Sequence, residues 1–340
     1  MPPARPQYVD YPGAAQDFDA CRRTTHHHGK TYALATRIFP REKRQAIYAL
    51  YAWARAIDDI VDGQAGAPIA TTPAAEDHRE RDIWQLHRTL AAAVSALSSA
   101  PTAPQSWEQA DRIIRSSGVA SYYQRILRPT TATIATWQID FALFDDFVAA
   151  MAQDLPTSAT AKTHYRTWEE LTAYMWGSAA VIGLQLLPLL PTTPGVQQEE
   201  LPPHATELGY AFQITNFIRD IGEDLQRGRI YLPLEHWEAF GVCPEHLLWC
   251  HRQQRVDQPV REALKYFISV NHAHYRAATP GITKLAGKPG AAIAAAEAGY
   301  RHILTEIEKA DYNVFARRAI VPRWRRLQLA AGAGLTHVIR

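Results

Sequence analysis

Apolar residues recur every three or four positions along most of this 340-residue chain, which is the spacing of one helix face. Residues 41–62, REKRQAIYALYAWARAIDDIVD, keep that spacing for about six turns. Three later segments continue it: TWEELTAYMWGSAAVIGLQLL, ELGYAFQITNFIRDIGEDLQ and AAIAAAEAGYRHILTEIEKA. Alternating runs of Val, Ile and Thr are few, so strand signals are scarce. The pattern predicts an all-α fold.

Helix starts and loops can also be placed from the sequence. Thr167 precedes one of the apolar segments and Glu170 follows it three residues later, which is the spacing of a capping box. Polar or proline-rich stretches follow Asp62, surround Pro101 and begin at Pro191, and they are typical of loops between helices. None of them requires a domain boundary. We therefore expect a single all-α domain over residues 1–340, with an N-terminal extension of residues 1–24 and a core of about residues 25–320.

Composition excludes several classes of protein. A hydrophobic fraction of 47% supports a sizeable core, and a net charge of +2 argues against a general nucleic-acid binder. Three scattered cysteines are too few for a disulfide framework, which favours a reduced, cytoplasmic setting. The N-terminus lacks the apolar run of a secretory signal. The most apolar stretch, from Ser178 to Pro191, is shorter than the roughly 20 residues of a membrane span.

The first candidate site is an acidic motif near the end of the first long helix. Asp58 and Asp62 are four residues apart and point to the same side, with Asp59 adjacent. Arg55 and Tyr51 lie one and two turns earlier on nearly the same stripe. Carboxylates at this spacing repel each other, and a divalent cation such as Mg²⁺ would relieve the repulsion. A solvated acidic turn at a helix end explains the motif equally well.

The second candidate site lies in ITNFIRDIGEDLQRGRIYLP. Asn216, Asp220 and Asp224 are spaced by four and form one ridge, whereas Glu223 points away from it and is not expected to be a ligand. One neutral and two charged oxygen donors suit Mg²⁺. Four further polar residues lie nearby: Gln213, Arg219, Arg227 and Arg229. The arginines suit phosphate oxygens, although a salt-bridged surface helix would also place Asp and Arg together.

Together the two ridges indicate more than either does alone. Mg²⁺ seldom sits in an all-protein cage and is usually shared between carboxylates and substrate phosphates. Two acidic helix faces meeting across a bundle would hold Mg²⁺ and a diphosphate, while the bundle supplies an apolar cavity for a hydrocarbon chain. The pattern favours ionisation of an allylic diphosphate.

Smaller motifs add less. In HHHGKTY, His28 and Lys30 are candidate diphosphate-binding cations, whereas solvated polar positions explain His26 and His27. The Cys250-His251 pair is interpreted as structural rather than catalytic. The sequence has no Walker A loop and no G-x-G-x-x-G after a strand, so no nucleotide cofactor is expected.

These motifs resemble the squalene/phytoene synthase family, and most of all its bacterial phytoene synthases. Four segments carry the resemblance in the family's order over about residues 25–320: HGKTYALATRIFPREKRQAIYALYAWARAIDDIVDG, YMWGSAAVIGLQLLPLL, LGYAFQITNFIRDIGEDLQRGRIYLP and the weaker YRHILTEIEKADYNVFARRA. One departure is AAEAGY, where family members often carry a basic residue shortly before the tyrosine that matches Tyr300. The resemblance implies the all-α class I isoprenoid synthase bundle around a central apolar cavity.

The resemblance also implies roles for individual residues. The two acidic motifs would bind Mg²⁺, with Mn²⁺ as an alternative, and would carry catalysis through Asp58, Asp62, Asp220 and Asp224, with Asn216 as a further metal ligand. The substrate diphosphates would contact a second set of residues: His28, Lys30, Tyr51, Arg55 and Gln213. Arg219 and Arg229, beside the second motif, are included among the expected substrate-binding residues.

The implied reaction is the head-to-head condensation of two geranylgeranyl diphosphates. It would pass through a cyclopropylcarbinyl diphosphate to phytoene, a step of carotenoid biosynthesis. The substrates are lipids, so shallow contact of a cytoplasmic enzyme with a membrane is compatible with this function.

Three alternatives remain at this point. A squalene or dehydrosqualene synthase using farnesyl diphosphate would share every acidic residue. A class I terpene cyclase or head-to-tail prenyltransferase is compatible with DDxxD at residues 58–62, although the second motif reads N-x-x-x-D-x-x-x-D. A helical scaffold or partner subunit with charged faces would need none of this chemistry.

Overall fold

The computed structural model describes residues 11–28, 36–63, 78–98, 103–322, 325, 328–329 and 332. The described residues form thirteen α-helices, and their extended pairing is limited to two isolated bridges, His164 with Ile230 and Thr192 with Leu285. The prediction of an all-α fold is confirmed.

The chain divides into two compact units, Met1–Ala161 and Lys162–Arg340. In the described part of the first unit there are six helices: α1 (Ala14–His28), α2 (Arg41–Val61), α3 (Arg79–Ser98), α4 (Pro104–Ser116), α5 (Ser121–Trp137) and α6 (Ala142–Gln153). In the described part of the second there are seven: α7 (Trp168–Met175), α8 (Val181–Leu186), α9 (Pro202–Gln226), α10 (Leu234–Ala239), α11 (Pro244–Arg252), α12 (Gln258–Lys284) and α13 (Gly287–Lys309). The single-domain organisation of residues 1–340 stays a prediction.

Helix α2 is the centre of the first unit. Trp53 and Ile57 are almost fully buried, and α2 packs against α1, α3 and α5. The Thr130 hydroxyl of α5 donates to the Ala49 carbonyl of α2 over 3.4 Å. The helix ends at Val61 because Gly63 follows with a φ of +68°, a left-handed conformation that favours glycine. The acidic motif therefore occupies the last two turns of a helix that is held firmly on its apolar side.

Helix α9 is the centre of the second unit. Its buried face packs along α12. A polar cluster joins the two helices: the Asn271 amide donates to Thr215 Oγ1 over 2.8 Å, and Thr215 Oγ1 lies 2.8 Å from the Tyr275 hydroxyl. Because Thr215 points into this interface, the neighbouring Asn216 ridge is turned towards another side of the helix.

The predicted capping box at α7 is present in modified form. The Glu170 backbone N–H donates to the Thr167 hydroxyl over 3.2 Å, as predicted. The Glu170 carboxylate accepts from the backbone N–H of Arg166 over 2.9 Å, and not from that of Thr167. The cap therefore spans one residue more than the motif predicts.

A π-helical turn, Trp176–Ala180, joins α7 to α8, and a 3₁₀ turn follows at Leu187–Leu189. Within the described residues, the continuous stretch Trp168–Leu189 is long and apolar enough to cross a membrane by length and composition. A core helix of a soluble protein passes the same test, and Leu171, Tyr174 and Met175 are buried here. The stretch is therefore weak evidence for a membrane span.

The π-helical turn approaches α9 closely at a glycine. A Cβ atom on Gly209 would lie 2.8 Å from the Cα atom of Ala180 and 3.1 Å from the Ala179 carbonyl oxygen. Both contacts are with backbone, so relief would require the helices to move apart. Gly299, in α13, has nothing within 4 Å of the corresponding position.

We predict that Gly209→Ala destabilises the protein by about 1–3 kcal/mol, through overpacking. Gly299→Ala is the matched control, since it adds the same methyl group to a helix with open space beside it. That change should raise stability by about 0.5–1 kcal/mol because alanine favours helix. Urea unfolding of both variants measures the difference, and equal effects would contradict the close approach.

Candidate active site

The first acidic motif is partly buried in the last turns of α2. Asp58 is half-buried between the buried residues Ile57 and Ile60. Burial raises the pKa of Asp58 to about 7, assisted by the charges of Asp62, Asp59 and Asp154 and opposed by Arg55. Asp154, which caps the C-terminus of α6, was not anticipated from the sequence because it lies 96 residues further along the chain. A carboxylate in these surroundings favours a bound cation or a proton.

Arg55 forms its ion pair with Asp59, although it shares its stripe with Asp58. The Asp59 and Arg55 side chains are only 16% and 22% exposed, so the pair is protected from solvent. Asp62 is exposed at the helix end, and Tyr51 is half-buried two turns earlier. The motif thus contains one paired carboxylate, Asp59, beside Asp58 and Asp62.

His28 ends α1 within electrostatic range of this motif. Burial and the positive charge of Arg55 lower the pKa of His28, while the Asp59 carboxylate opposes the shift. A neutral imidazole near Arg55 can donate a hydrogen bond from its N–H to a diphosphate oxygen. Lys30, the other predicted cation of this segment, lies outside the described residues.

The second motif is organised around Asp220. Arg219 contacts both carboxylate oxygens of Asp220, over 2.8 and 2.6 Å, and Arg318 contacts the same two oxygens over 2.8 and 2.9 Å. Burial would raise the pKa of Asp220, but the two guanidinium groups outweigh it and hold the pKa below its usual range. Arg318 was not named as a site residue from the sequence, although it lies in the weaker segment YRHILTEIEKADYNVFARRA.

Asp224, one turn later, has no such compensation. Burial raises its pKa to about 7, helped by the negative charge of Asp220 and opposed by Arg227 and Arg229. The chain turns back after α9, with Gly228 at a φ of +72°, and the Arg229 backbone N–H donates to the Asp224 carbonyl over 2.8 Å. This turn places Arg229 beside the end of the ridge.

Asn216 begins the ridge with an unsatisfied acceptor. Its amide nitrogen donates to Gln213 Oε1 over 3.4 Å, while its buried Oδ1 atom has no hydrogen-bond partner among the described residues. A buried carbonyl oxygen without a donor is costly, and a cation would satisfy it. Glu223, by contrast, is an exposed residue, with its carboxylate 3.8 Å from Arg318.

The donor set on each helix suits a hard divalent cation. On α9 the unpartnered amide oxygen of Asn216 and the raised pKa of Asp224 both favour a cation. On α2 the raised pKa of Asp58 does the same. All these donors are oxygens, which Mg²⁺ and Mn²⁺ prefer over nitrogen or sulfur. The residues present therefore fit the metal that the sequence motifs imply.

Comparison with known proteins identifies related sequences. The family described as squalene/phytoene synthase matches residues 25–325. A phytoene synthase from Arthrospira platensis is 30% identical over 322 residues, covering 92% of this chain and 91% of the relative. A 15-cis-phytoene synthase from Synechocystis is 31% identical over 335 residues, covering 96% of this chain and 87% of the relative.

Solved structures show the same fold. A dehydrosqualene synthase in complex with a ligand has a TM-score of 0.74 at 23% identity, and the match covers 96% of this chain and 98% of that one. A squalene synthase from Alicyclobacillus acidocaldarius has a TM-score of 0.65 at 22% identity, covering 89% and 97%. At these identities the likeness shows the all-α isoprenoid synthase fold.

The raised pKa values make a prediction about the metal-free protein. The pKa of Asp58 is about 7 in the folded protein and about 4 in the unfolded chain. Between about pH 4 and about pH 7, therefore, Asp58 is protonated in the folded state and ionised in the unfolded chain. Stability contributed by that proton is complete below about pH 4 and is lost as the pH rises to about 7. Asp58→Asn should therefore stabilise the chelator-treated protein at about pH 8, by roughly 1–3 kcal/mol, and have little effect at about pH 4.

Asp62→Asn is the control for this prediction, since it removes an exposed carboxylate from the same motif and should change stability less. Thermal unfolding across the pH range, in chelator, measures both variants. Parallel stability profiles for the wild type and Asp58→Asn would contradict the burial of Asp58.

Proposed function

The chain belongs to the squalene/phytoene synthase family, and we propose that it is a prenyltransferase that condenses two geranylgeranyl diphosphates head to head to give phytoene. The observation that carries the proposal is the family match over residues 25–325, with both acidic motifs intact on α2 and α9. Relatives named as phytoene synthases, which match more than nine-tenths of the chain at 30–31% identity, support the C20 substrate over the C15 substrate.

We assign the metal to the oxygen donors of the two motifs. Asp58 and Asp62 would hold Mg²⁺ on α2, and Asn216, Asp220 and Asp224 would hold it on α9. When bound, the metal would withdraw electron density from the diphosphate and so favour cleavage of the carbon–oxygen bond. Mn²⁺ has the same preference for oxygen ligands and is the alternative.

The basic side chains would bind and orient the diphosphates. On the first unit these are His28, Lys30 and Arg55, with Tyr51 on the same helix. On the second they are Arg219 and Arg229, with Gln213 beside the ridge. Each arginine can donate two hydrogen bonds to phosphate oxygens. Arg318, from its contact with Asp220, joins this set, since the guanidinium that now lies against a carboxylate can also contact a diphosphate bound there.

The chain's own groups would then control the reaction. The arginines would stabilise the departing diphosphate of the first substrate, leaving an allylic cation that the double bond of the second substrate attacks. Proton loss would give a cyclopropylcarbinyl diphosphate. The same cationic groups would assist its ionisation, and rearrangement with loss of a second proton gives phytoene. Partial burial of the acidic motifs would limit access of water, which would otherwise capture the cations.

The lipid substrates are compatible with an enzyme of the cytoplasm that makes shallow contact with a membrane. We propose no nucleotide cofactor for phytoene formation. Use of farnesyl diphosphate would instead make the enzyme a squalene or dehydrosqualene synthase, and the substrate assay separates these functions.

Incubation with Mg²⁺ and either the C15 or the C20 diphosphate tests the proposed function. We expect consumption of geranylgeranyl diphosphate and a C40 hydrocarbon, phytoene, identified by mass spectrometry. A C30 hydrocarbon would assign the farnesyl-using function, and a cyclic or simply elongated product would exclude head-to-head condensation. If neither diphosphate is consumed, the proposal fails.

We predict that Asp220→Asn lowers the rate of diphosphate release by roughly a thousandfold, since loss of metal-based charge stabilisation is worth several kcal/mol. Glu223→Gln, which removes an exposed carboxylate three residues away on the same helix, is the matched control and should retain near wild-type activity. Circular dichroism establishes that both variants fold. Full activity of Asp220→Asn would exclude it from the metal site.

A further inference from the structure

A second group of metal-ligating side chains lies where α11 meets α12. His246 and Cys250 are four residues apart on α11, so they share one face of that helix. Asp257 is the N-cap of α12. One ligand atom from each of the three residues lies within 4.8 Å of the others. None of these residues belongs to the two acidic motifs.

Two of the three side chains already contact each other, and the third lies close to both. His246 Nε2 lies 2.7 Å from Asp257 Oδ2. The ligand atom of Cys250 lies within 4.8 Å of those of His246 and Asp257. A metal ion displaces the proton of a thiol that it binds, so the three ligand atoms are near enough to share one ion after small movements.

Asp257 can ligate without giving up its role in the helix. Its Oδ1 atom accepts from the Val260 backbone N–H over 3.3 Å, which caps α12. The other oxygen, Oδ2, faces His246. One oxygen therefore holds the helix end while the other is directed into the cluster.

We propose that His246, Cys250 and Asp257 form a zinc site that holds the end of α11 to the start of α12. Nitrogen, sulfur and oxygen donors are the set that Zn²⁺ takes, whereas Mg²⁺ prefers oxygen alone. A thiolate and a carboxylate together carry two negative charges, which one Zn²⁺ ion neutralises. Zinc would replace the thiol proton, and the His246 proton would move to Nδ1.

Access to the site fits three protein ligands and one water. The Cys250 side chain is fully buried, while the His246 and Asp257 side chains are 24% and 28% exposed. The sulfur would lie on the inner side of the ion and the open position would face solvent. Zinc–ligand distances of about 2.0–2.3 Å place ligand atoms about 3.3–3.8 Å apart, so the His246–Asp257 contact, now 2.7 Å, would lengthen by about 0.6 Å.

The site would stabilise a junction on which the second acidic motif depends. His251, next to Cys250, lies against Gly222 of α9, where an added Cβ atom would be 3.3 Å from His251 Nδ1. The Asn313 amide donates to the Gln254 carbonyl over 3.1 Å, joining the α11–α12 turn to the segment that carries Arg318. A metal at this junction would therefore be structural.

Cobalt substitution of the full-length protein tests the proposal. Co²⁺ bound by a thiolate gives a sulfur-to-cobalt charge-transfer band, which carboxylate ligands do not give, so Co²⁺ at the acidic motifs does not interfere. We expect the band in the wild type at one equivalent of Co²⁺, and its loss on adding Zn²⁺. No band, or a band that Zn²⁺ does not displace, would overturn the proposal.

Cys250→Ala should abolish the band, and Cys243→Ala should retain it, since Cys243 precedes the same helix but is exposed. Asp257→Asn keeps the helix cap and should weaken Co²⁺ binding at least about tenfold. A band that survives Cys250→Ala, or that requires Cys243, would refute the site. If Cys250→Ala does not fold, loss of the band on alkylating wild-type Cys250, with the modified residue identified by peptide mass spectrometry, replaces it, and an unchanged band refutes the site.

Thermal unfolding gives a second readout in the same variants. Zn²⁺ at a hundredfold excess over its Kd should raise the Tm of the wild type by about 4 °C. The same addition should leave the Tm of Cys250→Ala unchanged. An equal rise in both proteins would place the stabilising zinc elsewhere and contradict the proposal.

Discussion

Each of the two candidate metal-binding motifs depends on carboxylates that its own helix, α2 or α9, holds in partly buried positions at four-residue spacing. Burying like charges together is unfavourable unless each is compensated. The chain compensates some of them: Arg55 pairs with Asp59, and Arg219 and Arg318 both contact Asp220. Asp58 and Asp224 are left with pKa values raised to about 7. The arginines near these two carboxylates do not offset the cost of burial, so each helix would gain from binding a cation.

The buried charges of Asp58 and Asp224 persist only because the helices that carry them are packed firmly against their neighbours. Helix α2 is held by the buried Trp53 and Ile57, and α9 by the Thr215, Asn271 and Tyr275 cluster. The close approach of Gly209 to Ala180 fixes α9 from another side. If these helices could rotate or fray, the carboxylates would turn to solvent and lose the raised pKa values. Packing of the apolar helix faces therefore offsets the free-energy cost of holding these carboxylates in partly buried positions.

Periodicity predicted the helices well because a four-residue repeat has the same geometric meaning wherever it occurs. The ridge of Asn216, Asp220 and Asp224 follows from that repeat alone. Pairing between distant residues does not: Arg318 reaches Asp220 from 98 residues away, and Asp154 acts on Asp58 from another helix. The sequence also does not predict which carboxylate pairs with Arg55. Arg55 forms its ion pair with Asp59, although Asp58 lies on the same stripe of the helix. The Cys250-His251 dipeptide was similarly uninformative, because the metal-ligating groups that lie near Cys250 are those of His246 and Asp257.

The two kinds of donor set in this chain would separate metals by chemistry rather than by affinity alone. Transition metals bind most N, O and S sites more tightly than Mg²⁺ does, so an oxygen-lined catalytic site is protected only by metal availability and ligand type. The cluster at His246, Cys250 and Asp257 has the softer donors and would take Zn²⁺ in preference to the oxygen ridge. Helix α11 packs against α9 at Gly222, which lies between Asp220 and Asp224 in the sequence. Zinc bound at the cluster would therefore stabilise the packing of the helix that carries the acidic ridge. A structural zinc would thus support the geometry of a magnesium site without entering its chemistry.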